Sequence, residues 1–150
     1  MRIKKKKDLD TENPAVISEL NKWISWLVHE FNFDGIRIDT VKHIRIDFWD
    51  AFTKSSGVFS IGEILHDSPS YVAPYQRHID STLGFPLFFK VQRLYSNPQS
   101  NMYEMRDAIN SNRKFFNDTR ILGNFIDCHD KEVRSYKGLN FPSKRQNTFS

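Results

Sequence analysis

The chain has 150 residues, 39% of them hydrophobic and 27% charged, with a formal net charge of +4. A single cysteine, Cys128, excludes an internal disulfide and a cysteine-built zinc site. No apolar run approaches the ~20 residues that a membrane helix needs, no signal peptide is visible, and the basic runs at Lys4–Lys7 and after Lys131 read as solvated ends rather than a nucleic-acid surface.

The length predicts one domain with one core. After the basic start, Asn13-Pro14 reads as a helix opening, a capping side chain followed by proline in the first turn. Val16, Ile17, Leu20, Ile24, Leu27 and Phe31 then recur at three- and four-residue spacing, so this helix is amphipathic. Asn32 to Gly35 breaks it, and Gly35 to Thr40 reads as a strand. A second helix is expected from Asp47, as its cap, to Ser56, with Gly57 at its stop. Val58 to Ile64 reads as a strand and residues 66–80, rich in Pro, Ser and Tyr, as a long loop. Leu83 to Phe89 reads as a third strand breaking at Pro86, Met102, Met105 and Ile109 mark another helix, and Ile121 to Asp127 reads as a fourth strand. The alternation predicts an α/β fold with a parallel sheet and helices outside it. Residues 131–150 show no usable periodicity and are expected to be irregular.

"FDGIRIDTVKH", residues 33–43, carries the functional signal. Ile36 and Ile38 alternate with Arg37 and Asp39, so one strand face is apolar and the other holds an opposite-charge pair. Polar strand ends recur at Glu63 and at His129-Asp130. Buried parallel strands normally demand Val, Ile or Leu, and an unpaired buried carboxylate is costly; in a β/α barrel, however, such strand ends face the active site. Taken singly, each favours the plainer reading: Asp39 as a cap with Arg37 as its salt-bridge partner, Glu63 as a loop acid, His129-Asp130 as turn chemistry and His43 as structural.

Joint occurrence in order decides otherwise. Asp34-Gly35-Ile36-Arg37-Ile38-Asp39-Thr40-Val41-Lys42-His43, Gly62-Glu63 and Phe125-Ile126-Asp127-Cys128-His129-Asp130 resemble the fourth-, fifth- and seventh-strand motifs of the α-amylase family of glycoside hydrolases. The stretches "DFWDAFTKSSGVFSIGEIL", "YVAPYQ" and "ILGNFID" are similar to the fungal-type members. The resemblance implies a partial (β/α)8 TIM barrel, roughly strands four to seven with intervening helices, over residues 8–130, between a basic non-family start at 1–7 and a divergent tail at 131–150. It implies Asp39 as nucleophile, Glu63 as general acid/base and Asp130 as the acid that holds substrate hydroxyls and stabilises the transition state. It further implies Arg37 as the group orienting the nucleophile, Lys42, His43 and His129 as sugar contacts, and a structural calcium held through Asp8 and the backbone carbonyl of His43.

The physics of retaining hydrolysis agrees with those roles. Two carboxyls about 5–5.5 Å apart are needed, one ionised to attack and one protonated to release the leaving group. Asp39 has Arg37 on its own face, whereas Glu63 follows an apolar strand with no cation adjacent in sequence. The expected substrate is an α-glucan such as starch, cleaved internally at α-1,4 bonds with retention, with no nucleic acid or membrane partner and a monomeric state for the complete enzyme. Family members are secreted, but no compartment follows from this chain. The rival readings are a cyclodextrin-forming transglycosylase, a metal-dependent barrel hydrolase using His43, His129, Asp39 and Asp130, and a non-catalytic amylase-like remnant.

The chain also departs from the family. Cys128 stands where asparagine is usual, "KEVR" replaces the pattern after Asp130, and the third- and eighth-strand motifs are not in these 150 residues. A complete barrel takes ~250 residues, so the expectation is a fragment, poorly stable and inactive alone, with open sheet edges and a wet apolar face.

Overall fold

The computed structural model describes residues 9–130. Helix α1 (Pro14–Phe31) begins as its sequence predicts, with the Asn13 side chain accepting a hydrogen bond from the Ala15 amide. It ends on Asn32 in the left-handed region (φ 51°), from which the Asn32 and Phe33 amides both reach back to the Val28 carbonyl. The chain then enters strand β1 (Gly35–Ile38), makes a short 3-10 turn at Val41–His43 and continues into α2 (Phe48–Ser56). Strand β2 (Phe59–Gly62), helix α3 (Pro69–Val72), a 3-10 stretch at Ala73–Arg77, the two-residue strand β3 (Ser81–Thr82), and helices α4 (Phe85–Ser96) and α5 (Met102–Phe115) complete it.

The strands are parallel and lie in chain order, β1-β2-β3. Gly35 pairs with Phe59 and Ile38 with Gly62; Ile61 pairs with Ser81 and Gly62 with Thr82. One further parallel bridge, Leu83 to Gly123, extends the arc. Sequential parallel neighbours with helices between them are the arrangement of a singly wound β/α arc, as the sequence led us to expect.

The helices cover the sheet through one apolar cluster. Ile24 and Val28 of α1 and Phe48, Trp49 and Phe52 of α2 meet Ile38, Val41 and Ile64 at the strand ends. Phe48, Trp49 and Phe52 touch with ring centroids 5.0–5.7 Å apart, and the Trp49 indole N–H donates to the Val41 carbonyl at 3.2 Å. Burying each such side chain is worth about 1.5–3 kcal/mol. This packing therefore fixes the end of β1, which carries the charged pair. A second aromatic cluster, Phe85, Phe88, Phe89 and Phe125, joins α4 to the segment after the Gly123 bridge.

Four expectations are corrected. Residues 66–80 are not a long loop but hold α3 and the 3-10 stretch, both of which admit proline in the first turn. Leu83–Phe89 is not a strand: the pairing residues are Ser81 and Thr82, and Phe85 opens α4 with Pro86 in its first turn, where its missing N–H has no partner to lose. Ile121–Asp127 is not a continuous strand but an irregular run with the single bridge at Gly123. Asp47 is corrected only in its chemistry: it takes the N-cap position of α2, but its backbone is helical (φ −71°, ψ −16°), it makes no side-chain capping bond, and its carboxylate pairs with Arg45 at 3.2 Å. Gly57 does stop α2, at φ 68°. The basic start, Asp8 and the tail at 131–150 lie outside the described residues.

Candidate functional site

The charged pair of β1 does not face open water on an idle edge. Parallel register sets the end of β1 beside the end of β2, with the Glu63 amide donating to the Ile38 carbonyl at 2.8 Å and the Val41 amide to the Glu63 carbonyl at 3.0 Å. Glu63 is thus held by backbone on both sides, and its side chain is only 8% exposed. Gly62 before it has a steric reason: a Cβ there would sit 2.3 Å from Ile79 Cδ1 and 2.9 Å from Val41 Cγ2.

Arg37 bridges the two acids. Its Nη1 lies 3.0 Å from Asp39 Oδ1 and its Nη2 3.1 Å from Glu63 Oε2. The sequence shows only the first of these contacts, because Arg37 and Glu63 are 26 positions apart and meet through strand pairing. The Thr40 amide donates to the same Glu63 Oε2 at 3.4 Å. Thr40 reaches it by adopting a left-handed backbone (φ 49°), unusual for a β-branched residue. Nothing in the sequence marked Thr40 for this role.

The two carboxyls are pushed apart in proton affinity. Burial raises Glu63 above its ordinary value of 4.5, and its hydrogen bond with Asp39 raises it further, against the opposing pull of the Thr40 amide and Arg37. The same hydrogen bond lowers Asp39 below 3.8, helped by the Arg37 guanidinium, while partial desolvation works against it. The two shifts run in opposite directions, Asp39 toward the ionised form and Glu63 toward the protonated one.

The seventh-strand residues come close but are held differently. Asp127, Cys128, His129 and Asp130 line a cleft of about 270 Å³ together with Arg37, Leu83 and Phe85. His129 Nε2 lies 3.3 Å from Asp130 Oδ1, and the His129 charge adds slightly to the lowering of Asp39. Lys42 is tied down: its ammonium donates to the Leu65 carbonyl at 2.8 Å, stapling the 3-10 turn to the loop after Glu63. His43 is exposed and lines a separate hollow of about 250 Å³ with Leu9 and Thr11. Of the expected calcium ligands, Asp8 lies outside the described residues. Among the described residues no group of three or more His, Cys, Asp or Glu gathers that could hold a metal, and no described helix is long and apolar enough to cross a membrane.

A parallel arc with a clamped pair of acids at its strand ends is the architecture of the barrel glycoside hydrolases. The sequence matches the family model described as alpha amylase, catalytic domain, over residues 1–146. It is 40% identical over 123 residues to the β/α-amylase of Paenibacillus polymyxa, covering 82% of this chain and 10% of that protein. It is also 40% identical over 124 residues to alpha-amylase 2 of Schizosaccharomyces pombe, covering 82% and 21%. The structure resembles an α-amylase of Malbranchea cinnamomea with a TM-score of 0.78 and 38% identity, over 82% of this chain and 26% of that one. The chain belongs to the α-amylase catalytic-domain family, and it spans a tenth to a fifth of the length of these two curated relatives.

Proposed function

We propose that the protein containing this chain is a retaining glycoside hydrolase that cleaves internal α-1,4 bonds of starch-like glucans. The observation that carries this reading is the Arg37 bridge, which holds Asp39 and Glu63 together while their proton affinities diverge. Asp39 attacks the anomeric carbon and forms the glycosyl-enzyme bond as Glu63 passes its proton to the departing glycosidic oxygen. Glu63, now a base, then draws a proton from water, which displaces Asp39 with net retention. Arg37 orients Asp39 through its 3.0 Å ion pair. Asp130, lining the cleft with Arg37, supplies negative field to the oxocarbenium-like transition state and holds sugar hydroxyls. His129, Lys42 and His43 contact the sugars on either side; the Lys42–Leu65 bond suggests that Lys42 acts partly by holding its loop.

Named relatives support the substrate class, being α-amylases. A cyclodextrin-forming reading retains one support: a cyclomaltodextrin glucanotransferase is similar at 26% identity and a TM-score of 0.72. Product analysis on starch by the full-length protein separates the two. Linear oligosaccharides released first in the α-anomeric form, followed by NMR, are the expected result; cyclic products would sink simple hydrolysis, and β-anomers would sink retention.

Calcium bound through Asp8 and the His43 carbonyl belongs to the same proposal, as a structural ion that pins the start of the chain to the turn after β1. The 150-residue chain alone is proposed to be inactive, since β1 has an unpaired edge among the described residues.

A further inference from the structure

We infer that Thr40 is a positioning residue for Glu63: its left-handed backbone, one step after Asp39, turns its amide N–H onto the Glu63 carboxyl and holds the two acids in a fixed relation. The inference rests on the proposed function above, in which Glu63 gives up a proton as Asp39 attacks.

Among the described residues, two that are not glycine have positive φ, Asn32 and Thr40. Asn32 is of a type that tolerates this backbone, and it ends α1 with it. Thr40 is β-branched, takes φ 49° and ψ 35°, and its side chain makes no capping bond. Such a residue is strained there, and strain of this kind persists only where the surroundings impose it. Here they do. Val41 is fully buried, its carbonyl accepts the Trp49 indole N–H at 3.2 Å, and Lys42 is tied to the Leu65 carbonyl. The turn cannot unwind without breaking these contacts.

The strain gives the turn its direction. A left-handed residue followed by a right-handed 3-10 turn sends successive amides to one side. The Thr40 amide meets Glu63 Oε2 at 3.4 Å and the Val41 amide meets the Glu63 carbonyl at 3.0 Å. Glu63 is thus gripped at side chain and main chain together. The charged groups that face its carboxyl are Arg37 and Asp39; Lys42 is turned away to Leu65, and His129 acts on Asp39. Burial does most to raise the proton affinity of Glu63, and the Thr40 amide is the largest influence against it, ahead of Arg37.

The test uses the full-length protein with Thr40 replaced by the matching α-hydroxy acid, which keeps the side chain and removes the N–H. Its kcat/KM on maltoheptaose should fall about three- to tenfold. The alkaline limb should move to higher pH, because Glu63 loses a donor that held its proton affinity down. On α-maltosyl fluoride, whose leaving group needs no proton, the fall should be much smaller. Thr40→Asn keeps the amide and suits the left-handed backbone, so its alkaline limb should stay in place and its melting temperature rise by about 2–4 °C. A wild-type alkaline limb in the ester variant, equal losses on the two substrates, or a displaced limb in Thr40→Asn would overturn the inference and leave Thr40 a purely structural turn. Glu63→Gln separates this from the reading beneath it. If that variant fails on maltoheptaose and keeps the fluoride while the ester variant matches wild type, the Thr40 role alone is lost; if Glu63→Gln still turns over maltoheptaose, the catalytic reading falls and this one with it.

Discussion

The ends of β1 and β2 and the segment from residue 117 to 130 hold the two halves of one proposed site by different means. Asp39 and Glu63 directly follow strands paired over four residues, locked by backbone bonds at the Ile38 and Glu63 carbonyls and backed by the Phe48, Trp49 and Phe52 cluster. His129 and Asp130 sit at the end of an irregular run whose ties to the sheet, the Gln76–Asp118 and Ser81–Ile121 hydrogen bonds and the Leu83–Gly123 bridge, all lie before residue 124, after which Phe125 packs on α4. The first half is fixed by the fold, and the second is placed by a loop. Groups that exchange a proton within a covalent step need the tighter positioning, whereas an acid contributing field and hydroxyl contacts tolerates more slack.

The largest effects should come from the strand-borne half. Asp39→Asn should lower turnover on starch by on the order of 10⁴-fold or more, with folding intact by circular dichroism; near-normal activity would refute the nucleophile. Glu63→Gln should lose about 10²–10⁴-fold on starch and recover substantially on substrates whose leaving group needs no proton. Its pH profile sharpens the assignment. Activity needs Asp39 ionised and Glu63 protonated, so wild type should fall below the lowered Asp39 value and again above the raised Glu63 value. Glu63→Gln should lack the alkaline fall on activated substrates. The sign for stability follows from the same shifts. Glu63 holds its proton more tightly in the folded chain, so its contribution is present at pH below 4.5 and lost as pH rises through the raised value. Asp39 contributes above 3.8 and loses its contribution as pH falls through the lowered value.

Asp130→Asn should cost less, about 10²–10³-fold in kcat, because the group acts through field and hydroxyl contacts rather than by covalent bonding; a loss as large as that of Asp39→Asn would erase the proposed division between strand and loop. Two glycines probe the division sterically. Gly62→Ala forces a Cβ against Ile79 and Val41 in the locked region, and should cost about 1–3 kcal/mol of stability while displacing Glu63. Gly123→Ala meets Ile61 Cδ1 at 2.5 Å, but its strand is a single bridge that can give way. Its cost, measured by denaturant unfolding, should be the smaller; the reverse order would show that the loop half is the stiffer. The smallest effect expected is on calcium removal, a few degrees of melting temperature through Asp8 and the His43 carbonyl; an unchanged melting curve counts against that ion.

Much of this was legible in the sequence where periodicity is long or chemistry is paired. The α1 stripe from Val16 to Phe31, its Asn13 cap and the Gly57 stop all appear as expected. What escaped was short or non-local. Ser81-Thr82 is too brief and too polar to show a strand period, and Pro86 marks a helix start as readily as a strand break. Arg37 reaching Glu63, and the Thr40 amide joining it, depend on pairing between β1 and β2 that no local pattern encodes.

The two-pronged reach of Arg37 narrows what evolution can place there. Lysine offers one compact ammonium in place of a planar fork, so it can satisfy one neighbour and must abandon the other. A variant library at position 37 selected for starch clearing should return arginine alone. Drift at the tip of this strand is thus closed off even toward the most conservative exchange, and recovery of working lysine clones would show the passage to be open.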